Sequence, residues 1–117
     1  MSLSLSAEGT AFASIPQTDP ALVSAATFDG GKASVDVGTL VLPIDASTGD
    51  IDLNTLPSPA SLGVADGAEL VAVLQTAGGI ITFVDPVTGL TMNHVNKVGE
   101  SHTLVADLTT DQWIYNF

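Results

Sequence analysis

A chain of 117 residues is long enough for one domain with a modest core, because a domain of this size buries a little over ~60% of the surface its unfolded chain exposes. Its formal net charge of -11 sets 13 acidic residues against only 2 basic ones, Lys32 and Lys97, which argues strongly against partners with phosphate backbones, since these need clustered Lys and Arg. Cys is absent, which removes disulfides, thiolate metal sites and thiol nucleophiles, and with 45% hydrophobic but only 5% aromatic residues the core must be filled by Val, Leu, Ile and Ala.

Residues 1–34 read as an N-terminal arm, mostly extended, rich in Ser, Ala and Thr and punctuated by Pro16, Pro20 and Gly30-Gly31. Its start, MSLSLSAEGTAFA, ends in Ala-x-Ala but lacks the basic and continuously apolar regions of a secretory leader. No run approaches the ~18 apolar residues of a membrane span, so a soluble chain made in the cytoplasm, with no membrane partner, is expected. Leu3 and Leu5 alternate with Ser, as in an extended strand laid along an apolar surface. Asp19 followed by Pro20 has the form of a helix cap and first helical residue, which predicts a short helix near 20–27.

From residue 35 to 117 the pattern is all-β. TLVLPIDASTGDIDL and IITFVDPVTGLTMN share one plan, an apolar run, a D-x-x-T-G connector and an alternating run. Asp accepts from backbone N–H groups further along a turn, Pro86 presets φ, and Gly49 or Gly89 supplies a left-handed residue, so each stretch predicts a β-hairpin. LPSPASLG, with two Pro, predicts a surface crossing rather than a central strand. ELVAVLQT predicts a strand, and HTLVAD with QWIYNF a closing hairpin. Strands at this spacing describe a compact β-sandwich, jelly-roll-like or barrel domain.

Chemistry-bearing patterns are sparse. Asp45, Asp50 and Asp52 lie close enough for a calcium loop, but the spacing is not that of an EF-hand, and turn chemistry accounts for them. His94 and His102 flank a turn, and Ser101, His102 and Asp107 are a triad by composition only, since no nucleophile-elbow or oxyanion-loop pattern surrounds them. Gly30-Gly31 and Gly78-Gly79 lack the spelling of phosphate loops. The expectation is therefore no enzyme, no catalytic residue, no metal and no cofactor. The last strand places Trp113, Tyr115 and Phe117 on one face by period two, and this face is either core or an intersubunit seam.

The order of features from residue 51 onward resembles a β-module of tailed-bacteriophage virion proteins. The matching residues are Leu56-Pro57, Asp66-Gly67, Ile81-Thr82 with Pro86 and Gly89, and then Gly99, Thr103, Leu104, Val105, Asp107, Thr109 and Trp113. That resemblance, with the short length and the arm, implies a capsid decoration, or cement, protein that binds the outside of the phage head as a homotrimer and stabilises the shell. Its partners would then be the major capsid protein and itself, with Leu3, Leu5, Phe12 and Ile15 of the arm as capsid-binding residues and the virion surface as its location. Similar modules occur in tail-fibre tips, so a tip that binds a host receptor or glycan is the alternative. A small hydrolase using His102 and Asp107 is a third reading, from a different class.

Overall fold

The computed structural model describes residues 9–34 and 37–116. Its strands are β1 (Gly9–Phe12), β2 (Val37–Asp45), β3 (Ile51–Asp52), β4 (Glu69–Thr76), β5 (Ile81–Thr82), β6 (Ser101–Asp107) and β7 (Gln112–Tyr115). Helical structure is confined to one turn, α1 (Pro59–Leu62), and to 3-10 turns at 20–22, 25–27, 32–34 and 53–55. The fold is β-rich. A five-stranded mixed sheet runs in the order β1-β2-β4-β6-β7, and β3 pairs with β5 separately. β1, β2 and β4 are parallel, whereas β6 and β7 return antiparallel.

Period-two alternation decides which side of this sheet is the core. Leu40, Leu42 and Ile44 of β2, Leu70, Ala72 and Leu74 of β4, Leu104 and Ala106 of β6 and Trp113 of β7 all point to one face and are buried. Register places Leu40, Leu70, Leu104 and Tyr115 in one row, with Leu42, Ala72 and His102 in the next. Each fully buried Leu or Ile contributes roughly 1.5–3 kcal/mol relative to an exposed one. Phe28, Ile51, Leu53, Leu56, Leu62, Ile81 and Phe83 complete the same cluster.

The LPSPASLG crossing is built to insert leucines. Ser58 caps α1, Pro59 opens it, and Gly63 ends it at φ 72°. A Cβ at Gly63 would stand 2.8 Å from Ser34 Cα, so only glycine lets the two backbones meet there. The crossing therefore buries Leu56 and Leu62 while its prolines sit outside any ladder.

Of the three hairpins expected from the sequence, one is not formed and two are. The first expected hairpin does not form, because β2 pairs with β1 and β4 while β3 pairs with β5. Its turn is drawn instead to the Gly78-Gly79 step. Gly79 N donates to Ala46 O at 2.6 Å, and a Cβ on Gly79 would overlap the Gly49 backbone. The second expected hairpin survives as a narrow one, with Val84 bridged to Thr91 and Met92 N donating to Phe83 O at 2.9 Å. The third, β6 with β7, is a regular antiparallel pair.

The N-terminal segment is also folded in. β1 joins the sheet, and Ala11, Ala13, Val23, Phe28 and Ala33 enter the core, so the described part of the expected arm lies on the domain. In place of one helix near 20–27 there are two 3-10 turns, with Asp19 accepting from Ala21 N in the first and Ser24 forming a capping box in the second. Caps this close in series leave no room for a continuous helix.

Both outer strands meet a carboxylate along their free edges. Ala13 N bonds to Val41 O, so the neighbouring Phe12 N points away from β2, where it donates to Asp29 Oδ2 at 3.1 Å. Asn116 N bonds to Thr103 O, so Tyr115 N points away from β6 and donates to Asp85 Oδ1 at 3.0 Å.

Candidate functional site

The C-terminal aromatics are placed by parity. Trp113 faces the core at 6% exposure, and its indole N–H donates to Pro57 O at 2.9 Å, which ties β7 to the leucine-bearing crossing. Tyr115 packs against the same core, with its ring 6.4 Å from Phe83 and edge-on to His102 at 5.8 Å. Ile114 points to the opposite face. Phe117, Leu3 and Leu5 lie outside the described residues.

Asp85, in the second D-x-x-T-G stretch, is the polar hub below these rings. At 1% exposure its Oδ2 accepts from Thr88 N at 3.0 Å and Thr88 Oγ1 at 2.8 Å, while Oδ1 holds Tyr115 N. Burial pushes its pKa up, but these donors outweigh burial and hold it below the usual carboxylate value. In the first stretch Asp45 Oδ1 accepts from Ser47 N at 2.9 Å, and the Ser47 hydroxyl and backbone N–H lower its pKa. The turn reading of both motifs is thus written in hydrogen bonds. Among the described residues no group of three or more His, Asp or Glu is placed to hold a metal ion.

The triad by composition is separated by the pleat. His102 points into the core at 1% exposure, whereas Ser101 and Asp107, an odd number of residues away, point to the other face. Asp107 accepts from Thr109 N at 3.0 Å and Thr110 Oγ1 at 3.1 Å, which makes it a turn residue. A hydrolytic centre through His102 and Asp107 is therefore not assembled.

Two clefts border the C-terminal hairpin. One, of about 200 Å³, lies beside Trp113 and Phe83 and is walled by Asn54, Ser58 and Asp111. Those polar groups are committed, Asn54 to both the N–H and C=O of Val84 and Asp111 to Ala60 N. The other, of about 330 Å³, is lined by His94, Glu100, Ser101, His102 and Tyr115.

The surface that sequence reasoning missed is the outward face of the sheet. Across its rows stand Phe12, Val41, Val71 and Thr103; Thr10, Thr39, Glu69, Val105 and Ile114; and Pro43, Val73 and Ser101. Glu69 is the one charge in these rows, and its Oε2 accepts from Asn116 Nδ2 at 3.1 Å. Phe12 is 50% exposed, and Ile15, just beyond β1, is 70% exposed. The signal was present in the odd-numbered valines of β2 and β4, which break the polar half of an apolar-polar alternation.

Compared with protein-family models, curated proteins and solved structures, the chain matches none. Among the described residues no helix is long and apolar enough to cross a membrane.

Proposed function

We propose that the chain is a structural, non-enzymatic protein of a phage virion, a capsid decoration protein that acts as a homotrimer on the outside of the head and braces the major capsid protein. The resemblance of residues 51–117 to virion β-modules suggests this class. The observation that carries it is the outward sheet face. One face of this mixed sheet is packed into the core, and the other carries Phe12, 50% exposed, with Val41, Val71, Val73, Val105 and Ile114 half-buried beside it. In a chain with a net charge of -11, a face whose central rows hold Glu69 alone among acids, with Asp107 in the row at one end, suits a neutral protein surface as partner and suits neither nucleic acid nor a polyanionic membrane.

In this reading the shell supplies the missing layer. The five-stranded sheet then rests on that surface, with Phe12 and Ile15 at its β1 side as contact residues. Trp113 is not available to stack on a sugar, because it is buried and its N–H is engaged by Pro57, which weighs against a glycan-binding tip built on that side chain.

Purification of the virion and labelling of head and tail tests the proposal. The chain is expected on the head, in fixed ratio to the shell protein. Its absence from the particle overturns the reading, and its presence at the tail with binding to host cells by the isolated chain favours the fibre tip.

A further inference from the structure

His102 is the one polar side chain of β6 that enters the core. Its Nε2 lies 3.3 Å from Ile81 O, an atom that can only accept, so Nε2 carries the proton and Nδ1 presents a lone pair. That Nδ1 is buried and has no hydrogen-bond partner. The imidazole is therefore a polar tie between the five-stranded sheet and the segment 81–95, which includes β5 and the narrow hairpin, beside the bond from Tyr115 N to Asp85 Oδ1. Ile81 and Val95 exchange backbone bonds at 2.9 and 3.2 Å within the segment, which is otherwise tied to its surroundings by the β3-β5 pair, by Asn54 on Val84 and by the buried Ile81 and Phe83.

We propose that His102 is an acid-sensitive latch which, while neutral, holds residues 81–95 on the sheet and, once protonated, releases them. The second proton has nowhere to go but Nδ1, where the new N–H meets no acceptor and the ring's charge lies in the core. That charge is relieved when the ring turns out through the 330 Å³ cleft it lines, which breaks the contact with Ile81 O.

The neighbouring groups do not neutralise such a cation. β4 presents Ala72 opposite His102, and β5 presents Ile81 and Thr82, none of them titratable. β7 presents Tyr115, edge-on to the imidazole. The Asp85 carboxylate is bound to Tyr115 N and Thr88 and makes no bond to the imidazole. Glu100, in the same cleft, has its Oε1 on the backbone of Asn96 and Lys97. His94 lines the cleft as well. Burial is the largest influence lowering the His102 pKa below 6.5, the bond to Ile81 O works against it, and the His94 charge lowers it further. The latch is independent of the virion reading.

The test is NMR on the whole chain. At neutral pH the ring nitrogens of His102 should show the Nε2–H tautomer, and its titration midpoint should fall below 6.5. Amide exchange at Tyr115 and Val84, whose N–H groups bond across the border of the segment to Asp85 and Asn54, corrected for intrinsic rates, should rise by about tenfold per pH unit once the pH passes below the ordinary histidine value, while Leu42 and Leu70 keep their protection. His102→Gln should abolish the pH-dependent rise, and His94→Gln should keep it with a higher midpoint. An Nδ1–H tautomer, a midpoint at or above 6.5, or protection of Tyr115 and Val84 that does not respond to the titration overturns the proposal. Those readings need only the wild-type chain, so they stand even if His102→Gln fails to fold.

Discussion

Replacing Asp85 with Asn tests the hub beneath the C-terminal hairpin, because the change preserves shape while removing charge and one acceptor. The native carboxylate accepts from Tyr115 N, Thr88 N and Thr88 Oγ1, at 3.0, 3.0 and 2.8 Å, from a site 1% exposed. An amide offers one oxygen, so either the Tyr115 N–H or the Thr88 donors face an NH2 group that does not accept. Loss of a charge-assisted bond together with a buried donor left unpaired sums to roughly 2–4 kcal/mol. For a chain of this length each kcal/mol is worth about 4 °C, so Tm should fall by roughly 8–16 °C.

Urea unfolding of both proteins across pH supplies the assay, and linkage fixes its sign. The folded pKa of Asp85 lies below its ordinary 3.8, so its contribution is fully present above 3.8 and disappears as pH falls through the folded value. The wild type should lose this increment in acid and Asp85→Asn should not, so their stabilities converge. A loss below about 1 kcal/mol at neutral pH, or a gap that stays constant into acid below about pH 2, would refute the assignment of the carboxylate as the hub.

Trp113→Phe should cost about 1–3 kcal/mol, because the ring still fills the core but Pro57 O loses its donor; chemical denaturation followed by far-UV circular dichroism measures it. Gly79→Ala should cost about 3 kcal/mol or more, or prevent folding, since its methyl group would overlap the Gly49 backbone; a normal thermal transition would show that the two turns do not meet. Val71→Glu, at the centre of the outward face, should change stability by less than about 1 kcal/mol yet abolish co-sedimentation with phage heads; retained binding would remove that face from the contact.

What the sequence disclosed followed the range of the interactions. Alternation in β2, β4, β6 and β7 is local, and so the strands, the closing hairpin and the shared face of Trp113 and Tyr115 could be read along the chain, whereas the side to which that face turns could not. The D-x-x-T-G turns were legible for the same reason, as Asp45 and Asp85 bond to residues two and three further on. Pairing was not legible. β3 finds β5 because Gly78 and Gly79 allow two distant turns to touch, and no local pattern encodes such an encounter. Residues 9–34 misled through composition, since a segment rich in Ser and Ala reads as linker, although Ala11, Val23 and Phe28 are core residues. Of the site, Phe12 and Ile15 were picked out as apolar residues of an arm, whereas their place at the side of the outward sheet face depends on the parallel β1-β2 pairing.

The acids Asp29 and Asp85 sit where a foreign strand would have to bind, and this bears on how copies of the chain can live close together. A strand arriving at Phe12 or Tyr115 must first displace a carboxylate that already holds the N–H, and it must approach a molecule of strongly negative charge. Growth by adding sheet to sheet, the route to open-ended fibres, is obstructed at both ends, while face-to-face contact is left free. Crowded copies of such a chain meet an occupied N–H, not an open one, at Phe12 and at Tyr115.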